Sequence, residues 1–436
     1  MNTGMKNTRV LVALASLLAA GCSTSLAAPP SLYPPGAEPF KDVPPSHRNN
    51  QVPMIYVTDR LPESDSATGT NYGYRRSRSL GFGEVTAQYG VGPLPWEVFS
   101  AESLKEKREV DLSLQITKAS EVGRFQESPG LAVQVGLSYV ERKDTTLDNA
   151  AKEKFLKLLK DALSRGTRRD VYVFIPGYFD TFEQSAMTLA GLWHFLGRDG
   201  VAILYSWPGG SGGMSGYGYS RESADFTQFH LREFLRLLGS SPDLDRVHLI
   251  GHARGGDLIL NVLRELLLSN NSDVIRAQKE LKLDTAVLAA PDFDIDSIGQ
   301  RLSGDRLRFV PRRMVIYTGQ GDGAGGTSGW LLGSVTRLGD MKETEFPPGV
   351  PESALKGPQL QIIQCQVKLT GTYDAYATHP GVVSDLILVL RDHKDPGAEN
   401  GRPLGRQQNM FWTITDDYLR KTPPAPAPPP PSNPPK

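Results

Sequence analysis

At 436 residues, with 48 Lys plus Arg against 48 Asp plus Glu, the chain is long enough for a large core and carries no net charge. That balance argues against a nucleic-acid partner, which calls for a basic excess. Seven scattered His and two Cys, with no H-E-x-x-H, C-x-x-C or glycine-rich phosphate loop, give no sign of a metal site or a cofactor.

Lys6 and Arg9 precede the apolar run Val10–Ala20, which is too short to span a membrane and has the layout of an export signal. The run ends Leu18-Ala19-Ala20-Gly21-Cys22-Ser23, which resembles a bacterial lipobox. That resemblance implies a signal peptide over 1–22 and a lipid-modified Cys22 as the mature N-terminus. With Ser23 behind it, it implies a membrane-anchored lipoprotein on the periplasmic side of a Gram-negative outer membrane. The competing reading is an ordinary cleaved signal. Residues 23–50 are rich in Ser, Ala and Pro and predict a tether. Residues 421–436 include nine prolines between Thr422 and Lys436 and predict a disordered, extended tail. The globular part is then 51–420.

Within it, Met54–Arg60, Ser79–Gly90 and Glu109–Thr117 predict strands, and Leu147–Arg165 an amphipathic helix stopped by Gly166. From Asp170 on, strands and helices alternate. Asp170–Ile175 is a near-continuous apolar run suited to a parallel strand. Asp180 with Glu183 predicts a capping box opening a helix that ends near Gly197. Val201–Tyr205 is a strand, followed by a Gly/Ser/Tyr loop to Tyr219 and a helix over Asp225–Leu238. Further strands are predicted over Thr285–Ala290, Arg313–Thr318 and Leu360–Leu369, and a helix over Val382–Leu390. Cys365 reads as a buried strand thiol and His248 as a packed strand residue. The alternation predicts an α/β fold with a doubly wound, mostly parallel sheet and helices on both faces.

The chain is organised around Arg246–Asp257, RVHLIGHARGGD. An apolar strand, a tight Gly-flanked turn and an apolar-faced helix make the setting of a nucleophile elbow, G-x-S-x-G. The middle residue here is Ala253, whose methyl has no lone pair with which to attack a carbonyl.

The elbow and its neighbours resemble an α/β-hydrolase, and more closely a bacterial branch of uncharacterised α/β-hydrolase proteins of unknown function. The resemblance rests on Thr58-Asp59-Arg60, Pro176-Gly177-Tyr178, Ser206-Trp207-Pro208, Tyr219–Ala224, Gly251–Gly255 and Ala290-Pro291-Asp292, in that order over roughly residues 50–395. It implies an acid at Asp322, with Asp292 competing, and a base at His379. It implies an oxyanion pocket from Gly177, Tyr178 and the Arg254 backbone N–H, and it leaves His252 as scaffold. Two positions depart from the pattern: Ala253 stands for the nucleophile and Pro176 for the His of the oxyanion loop. The expectation is a catalytically impaired serine hydrolase, a pseudoenzyme that keeps a pocket for a small-molecule or envelope ligand. The alternatives are an active esterase or lipase using Ser206, Ser211, Ser215 or Ser220, and a structural envelope lipoprotein.

Overall fold

The structure is a computed structural model and describes residues 24–63, 65–128, 131–136, 138–142, 145–210, 214–319, 359–368, 375–406 and 411–420. The Cys22 lipobox, Asp322 and the proline-rich tail lie outside the described residues.

In chain order the strands are β1 Thr24–Ser25, β2 Gln51–Pro62, β3 Tyr72–Tyr89, β4 Ser113–Arg124, the hairpin β5 Leu131–Val135 and β6 Ser138–Arg142, β7 Asp170–Ile175, β8 Val201–Ser206, β9 Arg246–His252, β10 Leu283–Ala289, β11 Arg313–Gly319, β12 Leu360–Gln366, β13 Gly405–Arg406 and β14 Phe411–Thr415. The main helices are α1 Trp96–Ser103, α2 Thr145–Leu163, α3 Phe182–Phe195, α4 Met214–Gly239, α5 Arg254–Ser269, α6 Val274–Leu281, α7 Ile295–Gly299, α8 Ala375–Thr378 and α9 Pro380–Leu390.

All strands but β5 and β6 form one sheet in the order β1-β4-β3-β2-β8-β7-β9-β10-β11-β12-β14-β13. From β2 to β14 every neighbouring pair is parallel; β1, β4, β3 and β13 join antiparallel at the edges. The period of two along each strand feeds two cores. Val171, Val173, Ile175, Val247 and Leu249 face α2, α4 and α5. Tyr172, Phe174, Ile250, Val287 and Ala289 face α3 and α9. This is the mostly parallel, doubly wound sheet of an α/β-hydrolase fold. After β7 the chain moves outward to β8, then returns to place β9 on the other side of β7. The sheet therefore reverses direction between β7 and β9, where open α/β sheets leave a crevice beyond the strands' carboxyl ends.

Several local expectations shift. Helix α3 is capped by Thr181, which accepts from Gln184 N while Gln184 bonds back, so the capping box sits one residue later than expected. The reason is that the Asp180 carboxylate already accepts from Gly177 N at 3.0 Å. Helix α4 starts at Met214, inside the expected Gly/Ser/Tyr loop. Its first turns are pinned by tertiary bonds: Ser220 Oγ accepts from Gly210 N, Ser223 Oγ from Arg76 Nε, and Tyr219 Oη donates to the Tyr74 carbonyl. The stretch expected as a tether over 23–50 packs from Thr24 onward. Leu26, Tyr33, Phe40 and Val43 are buried in the α3/α9 core, and Tyr33 Oη donates to the Phe195 carbonyl at 2.6 Å. Spaced apolar anchors between prolines bury enough surface to hold a segment whose ordering entropy proline has already lowered.

Candidate functional site

Strand β9 ends at His252, and Ala253 turns the chain with φ 46° and ψ −115° before α5 begins. A non-glycine residue at positive φ costs about 1–3 kcal/mol, and such strain collects at functional turns. Three backbone bonds hold it: Ala253 N donates to the Ala289 carbonyl at 2.9 Å, and the Ala253 carbonyl accepts from Gly256 N at 3.0 Å and Asp292 N at 3.1 Å. The flanking glycines are there for contact. A Cβ on Gly251 would stand 2.7 Å from the Gly255 carbonyl, and one on Gly255 would stand 2.1 Å from the Ile175 carbonyl oxygen. The expected elbow is present in full geometry, with a methyl at its apex.

The loop after β7 lies against that apex. A Cβ on Gly177 would come within 3.3 Å of the Ala253 Cβ and 3.2 Å of His252 Nδ1. The Gly177 N–H, expected as an oxyanion donor, is instead held by the Asp180 carboxylate. Trp207 Nε1 donates to the Pro176 carbonyl at 2.8 Å and fixes the loop from below. Beside Ala253, the Arg254 guanidinium donates to Tyr178 Oη and to the Asp257 carboxylate, pairs with Asp292 Oδ2 at 3.2 Å, and lies 4.9 Å from the Tyr178 ring centre. Burial acts to lower the Arg254 pKa, but Asp257, Tyr178 and Asp292 together hold it above its ordinary value. Burial pushes the Tyr178 hydroxyl well above its usual range, so it stays protonated. Asp292, the competing acid, is thus tied into an Arg254 cluster.

A family model described as "Alpha/beta hydrolase of unknown function (DUF900)" matches residues 150–389, more than half of the chain. The chain belongs to that family. No curated protein matches it. Among solved structures, a Lactobacillus plantarum WCFS1 protein assigned as a cell surface hydrolase is 12% identical, with TM-score 0.29 over 52% of this chain and 92% of that one. Carboxyl esterase 2 from the mycorrhizal fungus Tuber melanosporum is 13% identical, with TM-score 0.20 over 50% of this chain and 63% of the esterase. Likenesses this weak do not bear on the activity.

His379 caps α9, and both of its ring nitrogens are engaged. Nδ1 accepts from Gly381 N at 3.2 Å, and Nε2 stands 3.3 Å from Asp416 Oδ1. Burial lowers its pKa, with Asp416 acting in the opposite direction. Asp416 follows β14, four strands along the sheet from β9. It is a partner that the sequence did not single out, because β14 lies outside the recognised motifs. The His379 segment still borders the elbow through Tyr376, whose ring centre is 4.6 Å from that of His252.

The other segments on which the resemblance rests act as braces. Thr58 Oγ1 donates to the Ser206 carbonyl at 2.6 Å. The fully buried Arg60 ties Ser206 Oγ, the Gly73 carbonyl and the Asp180 carbonyl together at 2.8–2.9 Å. Asp59 Oδ2 stands 2.9 Å from His230 Nδ1 on α4. Ser206 and Ser220 are fully buried and serve as these hydrogen-bond partners.

One further cluster lies at the opposite end of the strands. Asp170 opens β7, His248 is the third residue of β9, and His393 follows α9; each offers a ligand atom within 4.8 Å of the others. Five residues of strand separate His248 from Ala253, about 16 Å at 3.3 Å per residue.

Proposed function

We propose that this chain is a catalytically silent member of its family: a lipid-anchored hydrolase-fold domain that binds a small-molecule or envelope ligand and does not turn it over. The observation that supports this is the elbow, with its strain and glycine contacts intact around a residue that cannot be a nucleophile. The neighbouring groups point the same way. The Gly177 N–H serves Asp180, the His379 nitrogens serve Gly381 and Asp416, and Arg254 draws Asp257 and Asp292 into an ion cluster. Removal of a triad serine alone leaves only about 10³–10⁴-fold catalysis over water, from binding and oxyanion contacts. Here the oxyanion donor at Gly177 is occupied as well. Among the described residues no helix is long and apolar enough to cross a membrane, so the anchor in this reading is Cys22.

The test is labelling of the purified protein with a fluorophosphonate probe, alongside an active serine esterase. The expected result is no labelling, together with saturable shifts in melting temperature for one class in a panel of lipids, acyl esters and cell-wall fragments. Stoichiometric labelling at any serine would overturn it. The anchor is tested separately: Cys22→Ser should release the protein from the membrane fraction or stall its processing. A Cys22→Ser protein that is still matured and still sediments with membrane removes the lipoprotein part of the reading.

A further inference from the structure

We propose that Asp170, His248 and His393 bind a zinc-class divalent ion at the amino-terminal edge of the sheet, remote from the elbow. The seven His looked scattered in the sequence, and His248 looked like simple packing. The fold brings three metal-ligating residues from three segments to one point.

His248 is the deciding residue. Its side chain is wholly buried, and among the described residues neither ring nitrogen has a hydrogen-bond partner. A buried polar group left unpaired costs roughly 1–3 kcal/mol, so such a ring calls for a further partner, which a bound ion supplies. Among the described residues Asp170 Oδ2 is likewise buried without a hydrogen bond, and His393 Nδ1 has only the Asp284 carboxylate near it, at 3.4 Å. The His248 ring is held in place by stacking on Tyr172, with centres 5.1 Å apart.

The surroundings fit an ion. Asp284 Oδ2 stands 3.4 Å from His393 Nδ1 and 3.9 Å from His248 Nδ1, where a carboxylate orients ligating imidazoles. Arg246 Nη1 lies 3.4 Å from His393 Nε2 and 3.6 Å from Asp170 Oδ2, so a cationic group already sits between two of the ligands. The Arg246 side chain is 46% exposed and can swing out. A surface cavity of roughly 490 Å³, bordered by Asp170, Arg246 and His393, gives an ion its route in and leaves a position for water. Tetrahedral zinc with bonds of about 2.0–2.2 Å holds its ligands about 3.4 Å apart, so from separations within 4.8 Å a closure of at most about 1.4 Å completes the site.

Other charges face the cluster. Arg168 lies 4.0 Å from Asp170 Oδ2, and Arg312 and Arg313 lie 3.8 and 3.9 Å from the Asp284 oxygens. The choice of ion follows from the donor set: two imidazoles and one carboxylate suit an ion of the zinc class, whereas calcium and magnesium call for oxygen ligands.

The experiment is metal analysis of the full chain after chelator treatment and reloading with Zn²⁺, and the visible spectrum after loading with Co²⁺. One equivalent per chain, a rise in melting temperature and a d–d absorption band are expected. His393→Ala, on a partly exposed loop, should lower the affinity at least tenfold, as should Asp170→Asn. Arg246→Ala should raise it several-fold by removing the competing cation. His379→Ala should leave it unchanged. A folded wild-type chain that holds less than a tenth of an equivalent and shows no Co²⁺ band overturns the proposal. So does a bound equivalent that survives His393→Ala and Asp170→Asn together.

Discussion

Gly255→Ala probes the contact on which the elbow depends. The added methyl would stand 2.1 Å from the Ile175 carbonyl oxygen, 2.8 Å from the Ile175 carbonyl carbon and 2.8 Å from the Pro176 carbonyl oxygen. All three are backbone atoms, so no side chain can rotate away. Relief requires the end of β7 to retreat by about 1 Å from α5, at an overpacking cost of about 1–3 kcal/mol. It also loosens the pairing of Ile175 with Gly251, at about 1 kcal/mol per hydrogen bond lost. Against this, Gly-to-Ala in a helix gains up to about 1 kcal/mol from propensity and a less flexible unfolded chain. The net expectation is a loss of about 1–4 kcal/mol, read as a lower urea midpoint at unchanged slope. Gly218→Ala is the internal control. It lies in α4 with nothing within 4 Å of the new methyl, so it should be neutral or stabilising by up to about 1 kcal/mol. If Gly255→Ala falls within about 0.5 kcal/mol of the parent, α5 does not pack on β7 as closely as described.

Three other perturbations have defined outcomes. Ala253→Ser should fold and still hydrolyse p-nitrophenyl acetate less than about tenfold faster than the parent, because no base nitrogen of His379 is unoccupied; a rise above about a hundredfold in that assay would show a base within reach of the apex. His194 is fully buried against Phe40, Tyr89 and Phe99, and burial holds its pKa well below 6.5, so the unfolded chain takes the proton first. Its contribution is complete above about pH 6.5 and is lost on acidification at up to about 1.4 kcal/mol per pH unit, and His194→Phe should flatten that acid limb in denaturant titrations. Phe40→Ala should cost about 3–5 kcal/mol in urea unfolding, because the ring packs among Tyr33, Trp96 and His194; a neutral effect would restore the tether reading of 23–50.

The parallel sheet was legible because its strands are buried on both faces. Asp170–Ile175 is bounded as its apolar run predicts, and the elbow's strand and helix lie where the glycines place them. The amino-terminal segment was not legible, because proline content reads as disorder while its anchors Leu26, Tyr33, Phe40 and Val43 are spaced too widely for any periodicity. Helix α4 starts eleven residues before the expected Asp225: the sequence signal there is weakened by Gly216 and Gly218, which lower local propensity, and the bonds that override it come from β3 and the loop after β8. Asp416 and the Asp170–His248–His393 cluster unite segments far apart in sequence, so only the folded sheet could display them.

The form of the elbow is set by packing that does not involve the side chain at its apex. Gly251 and Gly255 are required by backbone contacts between β9, α5 and β7, and those contacts are unaffected by the side chain at Ala253. The positive φ of Ala253 is held by bonds to Ala289, Gly256 and Asp292, which a serine would make equally well. Arg60 likewise secures the loop after β7 through carbonyl groups that belong to the scaffold. The glycines and braces around the elbow are therefore accounted for by packing alone. The groups that chemistry needs are fewer: an Oγ at the apex, an unoccupied imidazole nitrogen facing it and an unengaged amide at Gly177. In this chain the apex is a methyl, and both the nitrogens of His379 and the Gly177 amide are otherwise bonded, which is the geometry the proposed silent reading rests on.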